Sequence, residues 1–153
     1  MKSDGIFVFV YGTLLQGEAN HRRLKDARRA ADRAVARGAL YDTRRGYPAL
    51  LAHAECVGTV LGEIYEIDES TLRSLDELED FYGPGDPRNE YERIRIDAQS
   101  EAGGAWTEVW TYVYKKAPAN GDAIPSGDWR TYRRQREGPP RDRWSSPSTD
   151  LFN

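Results

Sequence analysis

The segment 57–67, VGTVLGEIYEI, is the longest strand-forming stretch of the chain, and it carries two glycines, Gly58 and Gly62. Glycine inside a strand marks a bulge or a place where other backbone comes close. A strand of this kind suits a curved sheet or a small barrel better than a flat sheet. We therefore expect a sheet that bends strongly or closes on itself.

The rest of the chain divides into short strands and two short helices. Residues 6–11 form a continuous apolar run, which is typical of a strand buried on both faces. A helix is predicted over 69–80, capped by Asp68 or Ser70. The other predicted elements are a strand over 33–41, a hairpin of 91–97 with 106–115, and a short helix from His21 capped by Asn20. Because strands and helices do not alternate regularly, we predict an α+β domain around a curved or closed sheet.

The predicted helix over 69–80 directs an acidic side chain towards the core. At the helical repeat, Glu79 falls between Leu72 and Leu75 on the apolar face, and Asp76 lies on the same side. An inward carboxylate must be paired, hydrogen-bonded or raised in pKa, and a pKa near neutrality suits general acid–base catalysis. Glu79 is therefore a candidate catalytic residue. The simpler interpretation places it in a frayed, solvated last turn.

The first predicted strand ends at a Tyr11-Gly12-Thr13-Leu14 corner, which leaves backbone N–H groups without a strand partner. The simpler interpretation is an ordinary turn. Alternatively, the amides of residues 12–14 form a site for a carboxylate or a developing oxyanion. Because Gly12 has no Cβ, it lets the backbone approach a ligand closely.

Composition argues against several classes of function. The net charge of −3 and the isoelectric point of about 5.5 give no general attraction to nucleic acid or to anionic membranes. The single cysteine, Cys56, cannot form an intramolecular disulfide, and His21 and His53 lack the spacing of a metal site. With no signal-peptide pattern or long apolar run, we expect a soluble cytoplasmic protein without nucleic-acid or membrane partners. Residues 1–136 form the predicted domain, and 137–153 a mobile tail.

Three groups of motifs, in the right order, resemble the γ-glutamylcyclotransferase-like superfamily, and particularly γ-glutamylaminecyclotransferases and their bacterial relatives. VFVYGTL followed by NHRRL resembles the N-terminal signature, and GEIYEID, LRSLDELE and YERIRI resemble the central one. TYVY and IPSGDW match the C-terminal pattern of bacterial members. The resemblance runs from about residue 6 to residue 130. It implies a small mixed β-barrel with short helices packed outside.

The resemblance also implies a reaction and a site. The family releases 5-oxoproline from a small γ-glutamyl amide or amine and needs no metal or cofactor. By match, Glu79 is the general base and acid, and Tyr91 is a pocket tyrosine. The residues that match the loop holding the glutamyl end are Tyr11, Gly12, Thr13 and Leu14. Trp129 either closes the pocket or anchors the fold.

Two departures from the family pattern leave alternatives open. Asp80 stands where relatives commonly carry Gly or Ser, and the loop 81–90 is long. The same fold could therefore serve as a non-catalytic metabolite-binding module, or as a γ-glutamyl acyltransferase or hydrolase. A weaker alternative is nucleic-acid binding through the arginines of 130–136. Neither the leaving amine nor the oligomeric state follows from these motifs.

Overall fold

The computed structural model of the protein describes residues 5–52 and 58–137. Within these ranges the chain forms eight strands, two α-helices and one 3-10 helix. The strands are β1 (Ile6–Val10), β2 (Arg28–Arg37), β3 (Ala39–Asp42), β4 (Pro48–Leu51), β5 (Thr59–Ile67), β6 (Glu92–Ser100), β7 (Ala105–Val113) and β8 (Asp122–Ile124). The helices are the 3-10 helix His21–Leu24, α1 (Glu69–Leu78) and α2 (Trp129–Glu137).

Five of the strands close into a barrel in the order β1-β5-β2-β6-β7. The closure is a parallel pairing of β1 with β7, in which Val8 lies opposite Trp110, whereas the other pairings are antiparallel. A second, three-stranded sheet has the order β4-β3-β8. The prediction of a small mixed barrel with short helices is confirmed.

Strand β5 shows why the glycine pattern predicts a closed sheet. A Cβ on Gly62 would collide with the carbonyl oxygen of Val10 and lie 2.7 Å from Cζ of Phe9. The neighbouring strand β2 shifts its register against β5 twice, on either side of Ala31. The missing side chain and the register shifts let the sheet bend sharply at this point.

The continuous apolar run of β1 is explained by its two faces. Phe9 belongs to one apolar cluster, with Val60, Ile64 and Val109 of the barrel strands. Val8 and Val10 belong to another cluster, which includes Leu24, Leu75 and Phe81 from outside the barrel. Since alternate residues of a strand point to opposite faces, a strand buried on both sides must be apolar throughout.

The predicted single strand over 33–41 is wrong in one respect. Strand β2 ends at Arg37, and β3 begins at Ala39 in the other sheet. Between them, the Gly38 amide donates to Gly58 O at 2.9 Å, and a Cβ on Gly38 would lie 2.6 Å from Leu51 O. The chain therefore passes between the sheets at a point where a side chain has no room.

The predicted hairpin of 91–97 with 106–115 is confirmed as β6 and β7, although β6 extends to Ser100 and β7 ends at Val113. Helix α1 ends two residues before the predicted boundary, and of its two predicted caps Asp68 is the one used: its Oδ1 accepts the Thr71 amide at 2.7 Å. Helix α2 ends at Glu137. The remainder of the predicted tail, His53 and Cys56 all lie outside the described residues.

Candidate active site

The Tyr11-Gly12-Thr13-Leu14 corner begins where β1 leaves the barrel. Tyr11 is buried, and its hydroxyl donates to Tyr112 O at 2.6 Å. The chain then turns, with the Leu15 amide donating to Gly12 O at 3.0 Å. The amides of Gly12, Thr13 and Leu14 have no hydrogen-bond acceptor among residues 5–52 and 58–137. The turn therefore leaves three backbone donors available.

The structure shows why position 12 is a glycine, which the sequence does not explain. A Cβ at this position would lie 2.5 Å from Cγ and 2.7 Å from Cδ of Pro48. The space of a side chain is thus filled by the first residue of β4. Gly12 permits close packing of the corner against a strand that lies more than thirty residues away.

The loop after the corner is held from behind by side chains. Asn20 donates from Nδ2 to Thr13 Oγ1 at 3.0 Å, and its amide donates to Thr13 O at 2.8 Å. Nδ1 of His21 lies 2.9 Å from Leu14 O. Asn20 precedes the 3-10 helix as predicted, but its side chain makes no cap hydrogen bond. The predicted cap is wrong because the Asn20 side chain supports the corner instead.

Helix α1 ends in a turn that presents Glu79. The amide of Asp80 donates to Glu77 O at 3.2 Å, and that of Phe81 donates to Asp76 O at 2.9 Å. This pair of bonds is the Schellman motif, in which the residue after the C-cap adopts a left-handed conformation. Here that residue is Asp80, with φ of 56°. Asp80 thus occupies a position that favours glycine, directly after Glu79.

A cavity of about 310 Å³ brings the two segments together. Every residue that the family resemblance predicts for the site lines this cavity. The lining residues are Phe9, Val10, Tyr11, Gly12, Thr13, Leu14, Ala19, Asn20, Gly46, Tyr47, Pro48, Leu78, Glu79, Asp80, Glu90, Tyr91 and Tyr112. Trp129 is not among them; it is buried in the barrel cluster and stacks on Tyr132.

Glu79 has the properties of an unpaired acid in a poorly solvated site. Its carboxyl group forms no hydrogen bond or ion pair with any described residue. Burial, followed by the charges of Glu90 and Asp80, raises its pKa from 4.5 to about 7. A group with this pKa can both accept and return a proton near neutral pH.

Asp76, the other inward acid of α1, is engaged elsewhere. Its Oδ1 accepts the Tyr112 hydroxyl at 2.6 Å and lies 2.9 Å from Nε of Arg93. Asp76 does not line the cavity. Its contacts hold Tyr112 in the cavity wall, so the geometry favours Glu79 over Asp76 as the reactive carboxyl.

Tyr91 lies in the wall with its hydroxyl already used. The hydroxyl donates to Pro48 O at 2.5 Å, and the ring meets that of Tyr114 edge-on, with centroids 4.8 Å apart. Burial, more than any neighbouring charge, raises the pKa of both Tyr91 and Tyr11 above the ordinary value. Both hydroxyls therefore stay protonated and act as donors, and neither is a base at neutral pH.

Glu90 is a cavity residue that the motifs do not single out. It ends the loop 81–90, which Asn89 ties together by accepting the Tyr82 amide at 2.7 Å and donating to Gly83 O at 2.7 Å. Oε2 of Glu90 accepts the hydroxyls of Tyr47 and Tyr114, each at 2.6 Å. In sequence Glu90 is only the last residue of a Gly- and Pro-rich loop, so no periodicity marks it.

A buried ion pair supports the corner from the barrel side. The side chain of Glu63 is 3% exposed and accepts the Gln16 amide at 3.0 Å and Nη2 of Arg130 at 2.8 Å. Nη1 of Arg130 also donates to Gln16 O at 2.9 Å. Arg130 therefore fastens α2 to the loop behind the corner. The contact could not be predicted from the sequence, because nothing distinguishes Glu63 from the other acidic residue of the same strand, Glu66.

Three of the arginines that suggest nucleic-acid binding have acidic partners within the fold. Arg130 pairs with Glu63, and Arg133 pairs with Glu18 at 2.7 Å. Arg136 lies 3.4 Å from Asp122. The basic cluster thus supports the packing of α2, although the absence of a nucleic-acid partner stays a prediction.

Two features were sought in the part of the chain that the structure describes: a metal-ligand cluster and a membrane-spanning helix. Residues 5–52 and 58–137 contain no group of three His, Cys, Asp or Glu side chains that could hold a metal ion. None of the helices in those ranges has the length and apolar character needed to span a bilayer. The cytoplasmic location stays a prediction.

Comparison with known sequences identifies the family. Residues 8–131 match the family described as "Gamma-glutamyl cyclotransferase, AIG2-like". The chain belongs to this family. The assignment made from the three groups of motifs is therefore confirmed.

Relatives of this γ-glutamyl cyclotransferase family member include proteins with named activities. The γ-L-glutamyl-butirosin B γ-glutamyl cyclotransferase of Niallia circulans is 43% identical over 130 residues, which are 84% of this chain and 78% of that protein. The γ-glutamylaminecyclotransferase of Bos taurus is 34% identical over 128 residues, covering 77% of this chain and 71% of that protein.

Solved structures of the same fold agree. YkqA from Bacillus subtilis superposes with a TM-score of 0.70 at 26% identity, covering 87% of this chain but only 42% of that one. An AIG2-like protein from Mus musculus gives a TM-score of 0.62 at 29% identity, covering 76% of this chain and 82% of that one. The five-stranded barrel fold is thus shared with these family members.

Proposed function

We propose that this family member is a cofactor-independent γ-glutamylcyclotransferase that releases 5-oxoproline from a γ-glutamyl amine or amide. One observation supports the proposal most. Glu79, an unpaired carboxyl with a pKa of about 7, lines the same cavity as the free amides of Gly12, Thr13 and Leu14. The names of the butirosin and γ-glutamylamine relatives point in the same direction.

The reaction needs one group that moves protons, one after the other, from the attacking nitrogen to the leaving nitrogen. At neutral pH the α-amine of the substrate is an ammonium group and has no lone pair. The Glu79 carboxylate takes one proton, and the freed lone pair attacks the γ-carbonyl carbon to close a five-membered ring. The bond from that carbon to the leaving nitrogen then breaks as Glu79 gives this proton to the leaving amine. The ring nitrogen still carries two protons, so the Glu79 carboxylate removes one of them and passes it to the released amine, which departs as an ammonium ion. No water is consumed, and no side-chain nucleophile is required.

The amide corner supplies the geometry of ring closure. An α-carboxylate held by the amides of residues 12–14 fixes one end of a flexible glutamyl chain, and the chain must then bend back on itself. Holding two reacting groups in attack geometry contributes as much as about 7–11 kcal/mol in favourable cases. In this proposal Tyr11 and Tyr91 enclose the glutamyl carbons with their rings, since their hydroxyls are bonded to backbone carbonyls.

A panel of γ-glutamyl amines and amides, assayed for 5-oxoproline, tests the proposal directly. We expect release of 5-oxoproline without incorporation of solvent oxygen when the reaction runs in ¹⁸O-water. Free glutamate carrying ¹⁸O as the first product would show that the protein is a hydrolase and not a cyclotransferase. Binding of panel members without any release would favour the non-catalytic binding module.

An α-acetylated substrate separates the same alternatives by a second route. Acetylation removes the lone pair of the attacking nitrogen, so a cyclotransferase cannot turn this compound over. A hydrolase, which uses water, can still cleave it if the cavity admits the acetyl group. Release of the amine from the acetylated compound would therefore contradict ring closure.

A further inference from the structure

The carboxyl group of Glu90 is half used. The hydroxyls of Tyr47 and Tyr114 and the guanidinium of Arg45 all contact Oε2. The other oxygen, Oε1, has no partner among the described residues. Glu90 also lines the cavity, so this oxygen can accept a hydrogen bond from a ligand. The proposed ring closure gives Glu90 no task.

The charge of the cavity wall is one-sided. Its described lining includes three carboxyl side chains, from Glu79, Asp80 and Glu90, and no lysine, arginine or histidine. Arg45 reaches Glu90 from outside the lining, with a side chain that is 60% exposed. An exposed ion pair of this kind compensates charge weakly. These three carboxyl groups therefore favour a cation and disfavour an anion in the part of the cavity beside them.

This asymmetry sets the direction in which a γ-glutamyl compound lies. Its α-carboxylate is repelled by the carboxyl groups and suits the free amides of residues 12–14, which line the same cavity. The bond that breaks must lie beside Glu79, which handles the protons of both nitrogens. The part of the substrate beyond that bond, the leaving amine, is then the part that meets Glu90.

We propose that Glu90 is a specificity-determining residue that selects γ-glutamyl amines whose leaving group carries a second, cationic ammonium group. The inference rests on the proposed function. Oε1 of Glu90 accepts a hydrogen bond from that ammonium, while Tyr47 and Tyr114 hold the carboxyl in place through Oε2. Substrates with a neutral or anionic leaving group lack this contact.

Two substrates of equal length test the proposal. One is γ-glutamyl-5-aminopentylamide, which ends in an ammonium group; the other is γ-glutamyl-hexylamide, in which a methyl group replaces the ammonium. We expect kcat/KM to favour the ammonium compound about tenfold in the wild type, as for a partly desolvated charge contact. Glu90→Gln should bring the ratio close to one, since the amide keeps an acceptor for the tyrosines but loses the charge. Glu90 also affects the pKa of Glu79, but this effect is the same for both substrates and therefore cancels in the ratio of their kcat/KM values.

Two further variants give the experiment controls of opposite kinds. Glu101→Gln removes the same charge from the turn between β6 and β7, where Glu101 pairs with Arg33, and should leave the ratio unchanged. Arg45→Gln removes the competing cation from Glu90 and should increase the ratio. Equal rates for the two substrates in the wild type, or an unchanged ratio in Glu90→Gln, would overturn the proposal.

Calorimetry separates this proposal from the proposed function. Binding of both compounds is measured to Glu79→Gln, and to Glu79→Gln combined with Glu90→Gln, so that no turnover is needed. A preference for the ammonium compound that disappears with Glu90→Gln supports the role of Glu90 even if neither compound yields 5-oxoproline. Release of 5-oxoproline from both compounds without such a preference sinks the role of Glu90 and leaves the cyclotransferase intact.

Discussion

The two walls of the cavity are built from different materials. The corner of residues 12–14, which we call the amide wall, lines the cavity with three free amides, and Pro48, Asn20 and His21 pack or bond against it. The second group of lining residues, which we call the carboxyl wall, consists of Glu79, Asp80 and Glu90, and Glu79 has no partner among the described residues. One wall is supported at several points, and the other retains uncompensated charge.

This difference separates recognition from chemistry. A backbone wall held by many contacts has one geometry and suits the end that all γ-glutamyl compounds share. A carboxyl wall suits proton transfer and selection among leaving groups, because its charge depends on pH and on single residues. The predictions below perturb one wall at a time.

The largest effect is expected from Glu79→Gln. The amide has nearly the same shape but cannot accept a proton, so kcat should fall about 10²–10⁴-fold while the glutamyl end still binds. Single-turnover rates and calorimetric binding measure the two quantities. Glu77→Gln, an exposed change on the same helix, is the matched control. A near-normal kcat in a correctly folded Glu79→Gln variant would show that another residue is the general base.

Removal of Arg130 should damage the amide wall from behind. Arg130→Leu leaves the buried carboxyl of Glu63 without its cation, which typically costs about 3–5 kcal/mol in the free energy of unfolding. Arg130→Leu combined with Glu63→Leu should recover part of that loss, because no buried charge remains unpaired. Urea denaturation measures both, and Arg134→Leu on the same helix should change stability by less than about 0.5 kcal/mol. An unaffected Arg130→Leu would show that the pair contributes nothing to the loop.

The pKa of Glu79 couples stability and activity to pH in opposite directions. Between pH 4.5 and about 7 the folded protein keeps a proton that the unfolded chain releases, so the free energy of unfolding falls as pH rises. The total is on the order of 3 kcal/mol. Over the same interval kcat/KM rises, because only the carboxylate accepts the substrate proton. Glu79→Gln should lose this component of the stability profile; an identical profile in both proteins would contradict the assignment.

Gly12→Ala should disturb the corner by overpacking. Its Cβ would collide with Cγ and Cδ of Pro48, and such insertions typically cost about 1–3 kcal/mol. Pro48→Ala removes both of those carbons, so the double variant Gly12→Ala/Pro48→Ala should be more stable than the sum of the single changes predicts. Chemical denaturation of the four proteins gives the coupling energy. Strict additivity would mean that Gly12 is needed for another reason.

The smallest effects concern Asp80, which combines a charge with a left-handed backbone. Asp80→Gly removes the conformational penalty and should raise stability by about 1 kcal/mol, whereas Asp80→Asn removes only the charge. Both should move the acid limb of the kcat/KM profile to lower pH, because the charge of Asp80 raises the pKa of Glu79. The shift should be small, because Asp80 is the weakest of the three causes of that raised pKa. A shift in Asp80→Gly alone would indicate that backbone geometry sets this pKa.

Local patterns predict much of the fold. The apolar run of β1, the glycines of β5 and the Asp68 cap each depend on residues close together in sequence, and each is found as predicted. The break at Gly38 is missed because the obstacle there is the carbonyl of Leu51, a contact between strands. The residues before and after Gly38 both have the pattern of a strand, so the sequence alone predicts one continuous strand.

The same distinction applies to the site. Residues 11–14 and Glu79 belong to motifs that can be recognised in the sequence, and the tertiary structure places all of these residues in one cavity. Glu90, Tyr47, Pro48 and the Glu63–Arg130 pair carry no such pattern. Glu90 bonds to Tyr47 across 43 residues, and Arg130 to Glu63 across 67. Sequence periodicity reports which way a side chain faces within its own helix or strand; only the closed barrel decides which distant side chain it meets, because burial and charge pairing depend on neighbours in space.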